Sequence, residues 1–193
     1  VWRPIPFQLS ASIKLLRYGS AIFNPPQEPS GKTGFGIYYK QPNLAERLSL
    51  LWHQPRFVYP GVAEDILSIK NVDMYGNTGR LGRSHWNKLT RAQLKRAYIL
   101  EKFKDIFFRP EGLSTRESKC LVVAELLCRY ARVRCIDDNP VDLLPICKRF
   151  PDLVDGVLIS DWSTNFLLRG VNLNATPNFH VVGTFHKAVY DLL

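Results

Sequence analysis

The sequence predicts an α/β protein: a Rossmann-like, mostly parallel sheet with helices on both faces. Short runs of β-branched and aromatic residues alternate with longer segments whose apolar residues recur at helical spacing. Such alternation is typical of parallel strands joined by right-handed helical crossovers. A length of 193 residues, 46% of them hydrophobic, suits a single domain around one core.

The elements can be placed from the period of the apolar residues. Six segments are predicted to be strands: Ser20–Phe23, Ser68–Tyr75, Ile106–Arg109, Val133–Ile136, Val157–Ile159 and Phe179–Val182. Five are predicted to be helices: Leu44–Trp52, Val62–Leu67, Asn87–Phe103, Thr115–Tyr130 and Val141–Phe150. Residues 1–19 are then an N-terminal extension, and residues 20–193 form one α/β domain.

Two adjacent acids, Asp137 and Asp138, follow the predicted strand Val133–Ile136 directly. Acids at the carboxyl end of a strand lie where open α/β sheets bind their ligands. Neighbouring carboxylates there can also hold a hard cation such as Mg²⁺. The alternative is that both acids only cap the turn and the helix that follows.

A capping-box pattern opens the helix predicted at Thr115–Tyr130, with Ser114 as N-cap and Glu117 three residues later. Lys119 lies in the first turns of this helix, where a positive charge opposes the helix dipole. An anionic ligand near Lys119 would explain its position. The alternative is an ordinary exposed lysine.

Four short segments follow one another from the second quarter to the end of the third quarter of the chain. They are Phe57–Val62 with Glu64 and Leu67, Met74–Arg80 followed by Trp86, Lys119, and Ile136–Pro140. In order and spacing they resemble the haloacid dehalogenase-like (HAD) phosphohydrolase superfamily, from about Phe57 to Asp161, slightly over half of the chain. The second segment resembles the strand end and turn of the family's second motif, with Tyr75 at its usual Thr or Ser position.

The resemblance implies a HAD-like domain with a minimal cap or none. It also implies that successive strand ends bring one set of side chains together at the carboxyl edge of the sheet. Those side chains would be Asn24, Asn77, Thr78, Lys119, Asp137 and Asp138.

The catalytic first motif of the family, DxDx[TV], has no counterpart at the expected place. The first aspartate of the sequence is Asp65, and the segment resembling a first strand is Ser20–Pro26. Asn24 then stands at the nucleophile position and Pro26 at the acid/base position. An amide is a poor nucleophile and proline has no side-chain donor or acceptor, so the phosphoaspartate reaction is blocked. The resemblance therefore implies a pseudoenzyme, for which no cofactor is expected.

Two alternatives would restore a Mg²⁺-dependent phosphatase, with Asp137 and Asp138 on the metal. A first motif could precede Val1, in which case residues 1–56 would form a cap insertion. Alternatively, the segment Asp161–Thr164 imitates a first motif out of order, although we interpret Asp161 as the exposed end of a strand. A third hypothesis is a regulatory module that binds a phosphorylated ligand without turning it over.

Positive charge is concentrated in residues 1–110, which contain 17 Lys/Arg and 7 Asp/Glu. No acid occurs between Met74 and Glu101. Apolar residues at helical spacing within this interval predict a helix with one face on the sheet and a row of cations on the other. Such a row suits the phosphate backbone of RNA, although a merely solvated basic face has the same pattern. The candidate RNA-binding cations are Arg80, Arg83, Lys88, Arg91, Lys95 and Arg96.

Other features of the sequence indicate its setting. The four cysteines lack CxxC spacing, which favours buried, reduced thiols over a zinc site. No run approaches the ~18 apolar residues of a membrane span, so no membrane partner is expected. Residues 1–27 contain no acid, and acid-poor N-termini resemble the surroundings of a transit peptide. We therefore expect a mitochondrial matrix protein, or otherwise a cytoplasmic one.

These observations together predict a non-catalytic structural or RNA-associated subunit of a large complex, such as a mitochondrial ribosome. Its partners would be RNA, other protein subunits, or both.

Overall fold

The computed structural model describes residues 42–53, 58 and 60–190. The predicted strand at Ser20–Phe23, Asn24 and the predicted extension 1–19 lie outside these residues. The described strands are β1 (Met74–Leu81), β2 (Phe103–Arg109), β3 (Val133–Asp137), β4 (Val154–Ile159) and β5 (Phe179–Val182). The described helices are α1 (Leu44–His53), α2 (Pro60–Ser68), α3 (Ser84–Arg96), α4 (Thr115–Leu127), α5 (Pro140–Arg149), α6 (Trp162–Leu167) and α7 (Phe185–Tyr190). Short 3₁₀ turns lie at Leu100–Lys102 and Leu173–Ala175.

The predicted α/β class is confirmed. Strand β1 pairs in parallel with β2, and β3, β4 and β5 form a second parallel sheet in that order. Helices connect the strands within each sheet, as parallel pairing requires. The fold is therefore Rossmann-like α/β, with a two-stranded and a three-stranded sheet among the described residues.

The chain divides into two compact units, with the boundary between Val122 and Val123 inside α4. The unit formed by residues 31–122 contains the β1–β2 sheet and α3. The unit that includes residues 123–193 contains the β3–β4–β5 sheet and α5.

In the unit of residues 31–122, the interior is built on strand β2, where Ile106, Phe107 and Phe108 are buried in succession. Strand β1 approaches the first turn of α4 closely at Gly79. A Cβ atom at Gly79 would lie 2.6 Å from Cγ2 of Thr115, so glycine permits this packing. The first turn of α4 therefore packs closely against the carboxyl half of β1.

In the other unit, helix α5 packs on the three-stranded sheet. The core comprises Leu143, Leu144, Cys147, Leu158 and Phe179. A Cβ atom at Gly156 of β4 would overlap Sγ of Cys147. The close approach of α5 to the sheet therefore depends on the missing side chain at Gly156.

Two predicted elements differ from the observed ones at residues with positive φ. Ser68 ends α2 rather than starting a strand, and Asn71 at φ 60° turns the chain before β1 begins at Met74. The helix predicted to reach Phe103 ends at Arg96, because Tyr98 adopts φ 59° and Phe103 already belongs to β2. Strand β5 has the predicted bounds, whereas α6 and α7 were not predicted.

Candidate nucleic-acid interface

Helix α3 presents a row of cations to solvent. Lys88, Arg91 and Lys95 are exposed and recur at helical spacing, and Arg96 beside them is exposed as well. Trp86 in the first turn of α3 is buried. We call the exposed set Lys88, Arg91, Lys95 and Arg96 the basic face. Its predicted place opposite the packed side of the helix is confirmed.

Arg91 keeps its charge accessible within the basic face. Its Nε donates to Oδ1 of Asn87 at 2.8 Å, one turn earlier on the same helix. Its guanidinium lies 4.0 Å from the carboxylate of Asp105, and the two side chains are 44% and 58% exposed. A contact of that length between exposed groups is weak, so it leaves Arg91 able to bind a phosphate.

Arg80 does not belong to the basic face. It is half-buried in β1, and its Nη1 donates to Oγ1 of Thr90 at 2.7 Å and to Oε1 of Gln93 at 2.9 Å. The guanidinium carbon also lies 5.7 Å from the ring centroid of Trp86. Arg80 therefore links β1 to the packed side of α3.

The prediction that all six cations share one exposed surface is wrong for Arg83 as well as for Arg80. This side chain, immediately before α3, is 7% exposed. Its guanidinium donates to the carboxylate of Glu46 and, at 2.7 Å, to that of Glu111. Both acids come from segments remote from Arg83 in the sequence. The lack of acids close to Arg83 in the sequence therefore gave no indication of these ion pairs.

The C-terminus of α3 carries an exposed aromatic side chain. The N–H of Ile99 donates to the carbonyl of Leu94 at 3.1 Å, and that of Tyr98 to the carbonyl of Lys95 at 3.0 Å. These two bonds define a Schellman cap, whose left-handed position usually holds glycine. Here Tyr98 occupies it, with φ 59° and 85% of the residue exposed. The predicted helix extended to Phe103 and included Tyr98, so this residue was not identified from the sequence. An aromatic residue two positions after Arg96 was nevertheless a signal that could have indicated nucleic-acid binding.

The residues of the predicted HAD-like site lie partly in the unit of residues 31–122. Asn77 and Thr78 belong to strand β1 itself, so the predicted turn at this motif is wrong. Nδ2 of Asn77 donates to the backbone carbonyl of Lys119 at 3.3 Å, and its Oδ1 is buried without a partner among the described residues. Oγ1 of Thr78 accepts the N–H of Arg80 at 3.2 Å. The fold thus brings Asn77 to the backbone of Lys119.

The predicted capping box at α4 is confirmed. Oγ of Ser114 accepts the N–H of Glu117 at 3.2 Å, and Oε2 of Glu117 accepts the N–H of Ser114 at 2.7 Å. A carboxylate therefore stands at the positive end of the helix dipole, where it is favourable. Lys119 is half-buried within the following turn.

Asp137 and Asp138 lie at the carboxyl end of β3, as predicted. Asp137 is half-buried and its Oδ1 accepts the N–H of Asn139 at 3.0 Å, whereas Asp138 is exposed. Helix α5 is capped by Asn139, whose Oδ1 accepts the N–H of Val141 at 3.1 Å. Asp137 therefore contributes to the turn, and the helix cap is a residue that the sequence interpretation did not assign.

The acid of the out-of-order motif also has a local structural role. Asp161 is the N-cap of α6 rather than the end of a strand, and it forms a capping box with Thr164. Its Oδ1 accepts the N–H of Thr164 at 2.9 Å.

No three His, Cys, Asp or Glu side chains in residues 42–53, 58 and 60–190 are grouped so that they could hold a metal ion. Within the same residues, no helix has the length and apolar character needed to cross a membrane. The four cysteines, all of which lie in the described residues, form no disulfide bond.

The class of the protein is thus defined by its Rossmann-like α/β fold. Comparisons with protein-family models, with curated proteins and with solved structures gave no match.

Proposed function

We propose that the chain is a non-catalytic, HAD-like α/β domain that acts as an RNA-associated structural subunit of a larger assembly such as a mitochondrial ribosome. The observation that carries the proposal is the basic face of α3. Four exposed cations lie on successive turns of one helix, and the ion pair that Arg91 forms with Asp105 is itself open to solvent.

The spacing of the basic face suits a phosphate backbone. Lys88 and Lys95 are seven residues apart, which on an α-helix is a rise of about 10 Å. Cations distributed over this length can neutralise several consecutive phosphates and release their condensed counterions. The affinity expected from such binding is independent of sequence and falls steeply with salt. This behaviour fits a subunit that is held on RNA without reading bases.

The buried arginines support the proposal by holding the helix in place. Arg83 anchors the start of α3 to Glu46 and Glu111, and Arg80 ties its middle to β1. A helix fixed at two points loses little freedom when its exposed side binds a partner. The basic face is therefore a preorganised surface.

The non-catalytic part of the proposal rests on the sequence resemblance, which places an amide at position 24 and proline at position 26. The mitochondrial setting rests on the acid-free residues 1–27 and on the strongly basic net charge of +9.

The test is RNA binding by a variant in which Lys88, Arg91, Lys95 and Arg96 are all replaced by Ala. We expect weaker binding of mixed-sequence RNA and a salt dependence reduced by about 0.7–0.9 in log–log slope for each phosphate that is no longer neutralised. Fluorescence anisotropy at several salt concentrations measures both quantities. Thermal unfolding of the variant should stay close to that of the wild type, because exposed charges contribute little to stability.

A matched control removes the same charge elsewhere. Lys148, Lys187, Arg132 and Arg169 are exposed and lie outside α3, and replacing them by Ala also removes two lysines and two arginines. If RNA binding depends only on net charge, both variants show the same reduction in affinity and slope. Equal reductions, or an unchanged slope in the α3 variant, would contradict the proposed interface.

A further inference from the structure

We infer that Tyr98 is a stacking platform for an unpaired base, which makes the interface on α3 selective for single-stranded RNA. The inference rests on the proposed function and adds a partner class to it. Tyr98 follows Arg96 by two residues, so this exposed residue lies just beyond the C-terminal end of the helix that carries the basic face.

The fold itself gives no reason for a tyrosine at this position. The Schellman cap needs a left-handed backbone at its C′ residue, which glycine adopts without cost and a bulky residue does not. The side chain gains little from packing, because 85% of the residue is exposed. The burial in this cap comes from the next residue, Ile99, which is 1% exposed. Tyr98 is thus a strained residue whose ring faces solvent, and such strain is typical of functional positions.

The chemistry of the surface selects the partner. Aromatic rings bind single-stranded nucleic acid because every base offers a face for stacking, while nearby cations hold the backbone. In duplex RNA the bases are stacked on one another and their faces are not accessible. Trp86 on α3 is buried and lies against Arg80, so Tyr98 supplies the exposed ring next to the cations.

The test compares Tyr98→Gly and Tyr98→Phe with the wild-type chain on two probes. One is a labelled uridine homopolymer of about 12 nucleotides, a length within the range of single-strand binding sites. The other is duplex RNA of mixed sequence and the same length. We expect Tyr98→Gly to weaken binding to the single strand about 5- to 100-fold, with an unchanged salt slope. Tyr98→Phe keeps the ring and should bind both probes as the wild type does.

A stability measurement separates stacking from folding. Because glycine suits the left-handed position, Tyr98→Gly should unfold at the same temperature as the wild type or about 2–4 °C higher. Weaker single-strand binding by a variant that is no less stable supports the platform. An equal weakening on the single strand and the duplex would overturn it.

The outcome also distinguishes this inference from the proposed function. If Tyr98→Gly binds the single strand like the wild type while the fourfold α3 variant does not, the interface stands and the stacking role is wrong. If the fourfold variant also binds like the wild type, or the wild-type chain binds neither probe, the proposed function itself is wrong and this inference with it.

Discussion

Arg83 and Glu46 are 37 residues apart in the sequence and form a buried ion pair at the start of α3. The arginine side chain is 7% exposed and that of Glu46 is 15% exposed. Glu111, which is half exposed, accepts a second bond from the same guanidinium. This network joins α1, the start of α3 and the turn after β2. Arg83, one of the six candidate RNA-binding cations, therefore has a structural role.

Replacing Arg83 by Ala should destabilise the protein by about 3–5 kcal/mol, because Glu46 would keep a largely buried charge without its partner. Urea unfolding followed by circular dichroism measures this decrease. Arg91→Ala removes an exposed arginine from the same segment and should change the free energy of unfolding by less than about 0.5 kcal/mol. Equal effects of the two substitutions would contradict the buried role of Arg83.

A double replacement tests the same pair from the other side. Arg83→Met with Glu46→Leu removes both charges, so no buried charge remains at this pair. This variant should be more stable than Arg83→Ala by about 1 kcal/mol or more, since apolar side chains often replace a buried ion pair without loss of stability. If the double variant is as unstable as Arg83→Ala, packing rather than charge explains the cost.

Arg83 also shows what local sequence patterns can and cannot predict. The alternation of apolar runs predicted β2, β3, β4 and β5 close to their observed positions. A buried strand can be recognised locally, because its apolar residues lie close together in the sequence. The partners of Arg83 come from remote segments, and no local window contains them. Likewise, the turn at Tyr98 uses a backbone conformation that its side chain disfavours, so composition gave no sign that α3 would end there.

The candidate site divides in the same way. The capping box of Ser114 and Glu117 was predictable because its two hydrogen bonds join residues that are three positions apart in the sequence. The contact between Asn77 and the backbone of Lys119 spans 42 residues and is absent from any local pattern. The motif order suggested that these two segments approach each other, but not that Asn77 lies within β1.

The packing of Gly156 against Cys147 gives a second prediction. Gly156→Ala should destabilise the protein by about 1–3 kcal/mol, because its new Cβ overlaps the buried Sγ of Cys147. Adding Cys147→Ala removes that sulfur, and the next neighbour, Leu143, lies at an ordinary 3.5 Å. The double variant should therefore be more stable than the sum of the single effects implies. Thermal unfolding of the four proteins measures this coupling.

Gly183→Ala is the matched control, since a Cβ atom there has no neighbour within 4 Å. It should change the midpoint by little. If the stability changes of Gly156→Ala and Cys147→Ala are strictly additive, α5 and β4 are not in close contact at this point.

A third prediction concerns the ionisation of Cys147. Burial, followed by the charge of Asp155, raises the pKa of this thiol from 9.0 to about 12. The native state thus keeps the thiol neutral. The contribution of this neutral thiol to the stability of the fold is present below pH 9 and is lost as the pH rises towards 12. At pH 8 to about 9 iodoacetamide should modify the exposed Cys128 and spare Cys147 until the protein unfolds. Tandem mass spectrometry measures both rates, because fragmentation separates Cys128 from Cys120 and Cys147 from Cys135 within their shared tryptic peptides.

Denaturant provides the internal control for that experiment. In urea above the unfolding midpoint the two thiols should react at similar rates, because both are then exposed to the reagent. Rapid modification of Cys147 in the native protein would contradict its burial. A Cys128→Ser variant removes the most exposed thiol, and the modification of Cys147 should stay slow in it.

The last prediction addresses catalysis directly. With Asn24 and Pro26 at the positions that the resemblance assigns to the nucleophile and the acid/base, we expect no hydrolysis of an aryl phosphate above background, with or without Mg²⁺. The Asn24 amide is a poor nucleophile, and Pro26 has no side-chain group that could act as a general acid or base. Asp137 already accepts a hydrogen bond from the N–H of Asn139 in its turn. Release of the coloured phenolate measures the rate in the wild type and in Asp137→Ala. Mg²⁺-dependent turnover that disappears in Asp137→Ala would establish the phosphatase alternative, whereas equal turnover in both proteins would indicate a contaminating enzyme.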